Sequence, residues 1–236
     1  MRQHLLAQLV CLGRHTLTSI TATAGGASHD WSAQYRLYSH RRFDPETVFA
    51  VARNEVLQHL PEDQPLVVAM DDSLLPKTGT RIPGVGWRRD PLGPRFQVNL
   101  IRAQRVLQLS AALPSPRNTS ARLVPIDFQH VPTPVKPRPT ATDAEWTRYR
   151  QECRHSRLPR RGRQQLAALR QALDQAGHAD RHLCLVVDGR FTNRTLMKSL
   201  PDNTTVIGRI RADAKLYFLP ETQPDGAGRR RIYGDP

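Results

Sequence analysis

Leu66-Val67-Val68-Ala69-Met70-Asp71-Asp72 is the stretch that decides how this chain folds. Five apolar residues follow Pro65 without alternation, the pattern of a strand buried on both faces at the centre of an α/β sheet. The run stops at two acids. A second run of the same length, Leu183-Cys184-Leu185-Val186-Val187, also stops at an acid, Asp188. A carboxylate is costly to bury alone. At the carboxyl end of a central strand it stands in the crevice where α/β sheets bind their ligands. If the two strands are neighbours, the acids at their tips converge, and a divalent cation is the usual remedy for the repulsion. Oxygen ligands with no His or Cys beside them suit Mg²⁺ or Mn²⁺ better than zinc. Two such ions, about 3.5–4 Å apart, can activate a nucleophile and stabilise a leaving oxygen in an in-line phosphoryl displacement.

Each acid also has a plainer reading. Asp72 beside Ser73 can cap or open a turn, and Asp188-Gly189 is a turn signal. The pair, in this order and in so basic a chain, favours the metal site. Adjacent strand residues point to opposite faces, so one of Asp71 and Asp72 enters the site, and spacing does not choose between them. Ser73 could support Asp72 by a hydrogen bond. Lys77 is either a phosphate contact or an exposed loop lysine.

Upstream of the first run, Met1 to about Pro61 reads as helical. Asp44-Pro45-Glu46 is a good helix start, with Phe49, Ala52, Val56 and Leu60 following at helical spacing. The stretch Trp31, Tyr35, Arg36, Tyr38, His40, Arg41, Arg42 is either a DNA-contacting surface or a core-packed helix whose arginine heads reach out to solvent. Downstream lies a Gly- and Pro-rich loop from Pro76 to Pro94. An antiparallel hairpin is expected next, from Phe96–Ile101 and Val106–Leu109 with its turn at Arg102–Arg105. Pro114–Thr142 holds seven prolines and reads as an irregular connection. Asp143–Arg157 is expected to be a polar helix. Arg160-Arg161-Gly162-Arg163 leads into a second helix with Leu166, Leu169 and Leu173 on one face and Gly177 as its stop. A short helix near Thr192–Leu200 and a strand Thr204–Ile210 complete the pattern. Its order matches a ribonuclease-H-like mixed α/β sheet behind an N-terminal helical region. The expected divisions are 1–62 for the helical, possibly DNA-contacting region, 63–219 for a partial catalytic core, and 220–236 for the start of an insertion or a truncated tail.

The 236 residues carry 35 Lys+Arg against 21 Asp+Glu, a net charge of +14. That excess points to a polyanionic partner, most simply nucleic acid. Only four of the basic residues are lysine, so codon bias can inflate arginine, but it does not remove acids. The three cysteines form no CxxC pair, which argues against a zinc ribbon and a disulfide scaffold. With no signal peptide and no apolar run near ~18 residues, the chain is expected to be cytosolic and soluble, and not in a membrane.

The stretch from Val67 to Ser73 resembles the first catalytic strand of bacterial insertion-sequence transposases of the DDE superfamily endonuclease type. In that family the Asp before Ser/Thr is the ligand, which selects Asp72. Leu185 to Asn193 resembles their second catalytic strand and following helix, and Ile207 to Ala214 the next strand. Gly13 to Thr18 with Trp31-Ser32, Trp87 to Pro91, and Phe96 to Leu100 fit the same group. The resemblance implies a ribonuclease-H-like domain that nicks and joins DNA at element ends, with two Mg²⁺ (or Mn²⁺) ions held by Asp, Asp and Glu, and members commonly act as homodimers on paired ends. It assigns metal binding and catalysis to Asp72 and Asp188 and brings Arg209 and Arg211 near DNA. Arg190 and Lys77 are further candidate DNA contacts. The family's Glu lies well beyond Ile210. Glu221, Asp225 and Asp235 are no credible substitutes, so the expectation is a truncated or partial enzyme. Two alternatives stand beside it: a non-catalytic DNA-binding repressor and a metal-dependent nuclease on the same fold. An RNA-associated basic protein fits less well, for want of an RNP-type aromatic motif.

Overall fold

The computed structural model describes residues 2–26, 30–40, 44–79, 81–94, 96–97, 99–115, 120–215 and 217–218. Arg41, Arg42, Val98 and the whole expected tail 220–236 lie outside them. The chain forms two compact units, Met1–Val48 and Phe49–Pro236. No helix among the described residues is long and apolar enough to cross a membrane.

The first unit holds α1 (Arg2–Val10), α2 (Leu17–Thr23) and α3 (Ser32–Ser39). Thr16 caps α2 by accepting from the Ser19 amide. Ala7, Cys11 and Ile20 make a small core. None of the residues of α3 is buried. Its aromatics are therefore not core residues, and Tyr38 instead accepts a hydrogen bond from Gln8 at 2.9 Å.

The second unit begins in α4 (Pro45–Gln58), which starts at the expected Pro45 and buries Val56 and Leu57, with Leu60 just beyond it. A mixed sheet follows. Its strands are β1 (Leu66–Pro76), β2 (Gly86–Arg89), β3 (Leu100–Leu113), β4 (Arg122–Val131), β5 (Leu183–Val187) and β6 (Thr204–Gly208). The order is β2-β3-β1-β5-β6, with β4 also on β3. β1 is antiparallel to β3 and parallel to β5, which is parallel to β6. β2 and β4 lie end to end along one edge of β3, with the Thr133 amide bonded to the Gly84 carbonyl where they meet.

Two expectations need correction. No hairpin turns at Arg102–Arg105, because that stretch is the interior of the 14-residue β3. It has no Gly, Pro, Asn or Asp to form a turn, and Ala103 packs fully buried between β1 and β2. The next strand to pair with β3 along the chain is instead β4, antiparallel to it and inside the proline-rich stretch read as irregular. Among the described residues β4 has no further strand outside it, and Pro125 sits where its register shifts, opposite Ser110. Proline is tolerated at such edges and bulges because no ladder amide is required there.

Between β4 and β5 run α5 (Asp143–His155), α6 (Leu158–Gln175) and, after β5, α7 (Arg194–Met197). Thr142 and Glu145 form a reciprocal capping box on α5. α6 buries Leu166, Leu169 and Leu173 and ends before Gly177, whose φ of 85° only glycine adopts without strain. Gly162 lets α6 approach the sheet: a Cβ there would stand 2.8 Å from Met70 Sδ. The main core gathers Leu66, Val68, Met70, Leu107, Leu109, Leu166, Leu183, Leu185 and Phe191. At the lower end of the sheet, buried Arg181 donates to the carbonyls of Pro61 and Gln64, and Arg170 donates to the Arg181 carbonyl. The Leu66 amide bonds the His182 carbonyl, so β1 and β5 start level.

Candidate active site

Met70 pairs with Val187, the last residue of β5, so the acids emerge where the parallel ladder ends. β1 itself continues to Pro76 against β3 alone. Leu66, Val68, Met70 and Asp72 alternate onto the face that α6 covers, whereas Asp71 takes the other face. One step past Met70 and Val187, Asp71 stands level with Asp188 and Asp72 level with Gly189. The ladder by itself thus aligns Asp188 with Asp71. What ties Asp188 to Asp72 is the turn that follows β5.

That turn is tightly built. The Phe191 amide donates to the Asp188 carbonyl at 3.1 Å, and the Thr192 hydroxyl donates to the same oxygen at 3.1 Å. Phe191 is fully buried as its anchor. Asn193 caps α7 through the amides of Thr195 and Leu196 and donates its side-chain amide to the Arg190 carbonyl. Arg190 links the two candidate acids. Its backbone amide donates to Asp188 Oδ1 at 3.0 Å. Its guanidinium Nη1 donates to Asp72 Oδ1 at 2.7 Å and to Oδ2 at 3.0 Å.

Asp72 has a second cation beside it. Arg105, two residues along β3 from the Leu107 that faces Asp72, brings its Nε within 3.3 Å of Oδ2. The pair is an ion contact without hydrogen-bond alignment, since that Nε has no hydrogen-bond partner. Arg88 of β2 feels the Asp72 charge as well and donates to the Thr133 hydroxyl at 2.7 Å. Burial pushes Arg105 and Arg88 below the ordinary guanidinium value, and their mutual repulsion adds to this for Arg105. The Asp71 carboxyl is pushed above the usual carboxylate range, first by partial burial, then by the neighbouring charges of Asp72 and Asp188, against the hydrogen bond it accepts from the Asp72 amide.

The remaining candidates separate. Arg209 and Arg211 follow β6 and, with Asp188, Gly189, Arg190 and Asp213, line an open groove beside the turn. Arg211 is held by both carboxylate oxygens of Asp213, at 2.8 and 2.6 Å. Lys77 lies just past β1, its amide bonded to the Arg102 carbonyl. The extended chain carries it roughly 16 Å beyond Asp72. Ser73 alternates to the face opposite Asp72. Glu221, Asp225 and Asp235 are outside the described residues. Arg105 and Arg88 are site residues that the sequence reading missed. The available signal was strand alternation through Arg102–Arg105, which places Arg105 on the face of Leu107 and Leu109.

Among the described residues no three His, Cys, Asp or Glu side chains gather as a metal-holding group. The donors present are carboxylate oxygens with no thiolate or imidazole among them. They fit a hard divalent cation, and Asp72 already carries a positive partner in the guanidinium seated on both its oxygens.

A long central strand flanked by antiparallel strands on one side and parallel strands on the other, with acids at the tips, is a ribonuclease-H-like arrangement. The chain belongs to the DDE superfamily endonuclease family, whose model matches residues 1–236. No curated protein and no solved structure matches it. Members of this family generally use divalent metals, and the family implies a DNA substrate.

Proposed function

We propose that this chain is a DDE-type transposase component that nicks DNA and transfers strands at insertion-sequence ends, with Asp72 and Asp188 as its metal-binding acids. The observation that carries the reading is the Arg190 link, which holds one acid by its backbone and the other by its side chain at the open end of two adjoining strands. Mg²⁺ or Mn²⁺ bound there supplies activation of the attacking oxygen and stabilisation of the leaving one. Asp72 and Asp188 hold the charge in place. Arg105 holds the Asp72 carboxylate in place. Arg209 and Arg211 meet the DNA backbone in the groove, with Lys77 as a more distant contact. The setting is the bacterial cytoplasm, with two copies of the chain on paired ends.

The test uses supercoiled plasmid carrying element ends, with Mg²⁺ and then Mn²⁺. Asp72→Asn and Asp188→Asn should each lower nicking by at least ~10³-fold, while Asp71→Asn retains most of it. DNA binding measured in chelator should survive in all three variants. Equal loss in Asp71→Asn and Asp72→Asn would remove the assignment of Asp72. A second reading, DNA occupancy without cutting, is favoured by the lack of a three-ligand group among the described residues. It predicts wild-type protein that binds ends, cuts nothing with either ion, and is indifferent to Asp72→Ala.

A further inference from the structure

The two guanidiniums on Asp72 are unlike. Arg105 is part of the sheet, flanked by β1 and β4, and its side chain is 18% exposed. Arg190 comes from the turn and is 52% exposed, although the carboxylate it covers is 7% exposed. The backbone of Arg190 is pinned at both ends, by Asp188 Oδ1 on its amide and Asn193 on its carbonyl. Its side chain, by contrast, is half exposed and ends on the Asp72 carboxylate. The groove beside it is lined by Arg190 itself together with Arg209 and Arg211. Arg211 is neutralised by Asp213, and the Arg209 carbonyl lies 3.3 Å from where a Cβ on Gly189 would stand, so this segment rests directly against the turn.

We propose that Arg190 is an exchangeable counter-ion: it occupies Asp72 when no divalent cation is bound, and is released by the cation into the adjoining groove, where it holds a DNA phosphodiester. Arg105 is the permanent partner that keeps Asp72 oriented through the exchange. The cation competes with Arg190 for Asp72, and the phosphodiester competes with Asp72 for Arg190, so each strengthens the other's binding by the same factor. The inference rests on Asp72 as a metal ligand, and it adds an order of events: cation first, then backbone phosphate.

The full chain is tested without any cutting step. Mn²⁺ affinity is measured by electron paramagnetic resonance, and affinity for a fluorescent double-stranded oligonucleotide is measured in chelator and in Ca²⁺. Ca²⁺ should tighten DNA binding by wild type about tenfold. In Arg190→Gln that ratio should fall to about twofold or less, and Mn²⁺ affinity of the DNA-free protein should rise about tenfold. Arg194→Gln removes a nearby charge on α7 that lies outside the groove lining, and should leave the Ca²⁺ ratio close to wild type. Circular dichroism checks that the variants are folded. A Ca²⁺ ratio in Arg190→Gln equal to that of wild type overturns the exchange, even if Asp72 proves essential for nicking. Equal gains in Mn²⁺ affinity for Arg190→Gln and Arg194→Gln also overturn it, since general repulsion then accounts for both. Wild type that binds no Mn²⁺ overturns both the exchange and the metal-ligand reading.

Discussion

The two halves of β1 are one strand in two environments. From Leu66 to Met70 it has β5 on one side, joined from Val68 by β3 on the other, and its side chains on the α6 face are sealed in the core. From Asp71 to Pro76 it keeps β3 alone, because β5 has ended at Val187. Apolar burial stabilises the first half. The second half has an open flank, and there the chain carries charge that a closed sheet would not tolerate. Apolar burial and charge are thus separated by a single residue step, from Met70 to Asp71.

That separation can be broken by experiment. Leu185→Ala, opposite Val68 in the closed half, should destabilise by about 2–5 kcal/mol in urea unfolding, as expected for truncating a buried leucine. Leu75→Ala, in the open half and 38% exposed, should stay within about 0.5 kcal/mol of wild type. Comparable losses would show that the outer half also carries the core.

Gly208→Ala sharpens the boundary itself. The added Cβ would stand 2.2 Å from the Thr192 hydroxyl oxygen, which donates to the Asp188 carbonyl. Relieving the clash should cost about 1–3 kcal/mol and loosen the turn that presents Asp188. Unchanged melting and unchanged Mn²⁺ affinity would show that the turn does not depend on this contact.

The smallest effect concerns Asp71. Its folded-state pKa is raised, so the native state favours the protonated acid. The contribution is present below the ordinary carboxylate pKa and is lost as pH rises through the raised value. Asp71→Asn should therefore raise the melting temperature slightly at pH 7, and the gain should disappear in acid, where wild type is protonated as well. A gain that is constant with pH would point to a cause other than charge.

Much of this was legible beforehand. β1, β5, β6 and the helices from α4 to α7 follow from apolar runs, caps and stops that act over a few residues. The acids at Asp72 and Asp188 were visible because each interrupts an apolar run abruptly. β4 was hidden by its prolines, which mark an irregular loop unless the strand lies at an edge, and only the assembled sheet shows that it does. Arg105 was concealed for a related reason. A charged residue in a central strand looks like a turn until its carboxylate partner, 33 residues earlier, is seen beside it.

The arginine staple at the foot of the sheet makes the two strands work as a ruler. Arg181 and the Leu66–His182 bond zero both at the same height. Five residues later one strand arrives at Asp71 and the other at Asp188. A single residue inserted into either strand above that zero would lift its acid by about 3.3 Å and turn it to the opposite face. The spacing from Leu183 to Asp188 is therefore under as strict a constraint as the identity of the acid, and the intervening hydrophobes can change type far more freely than they can change number.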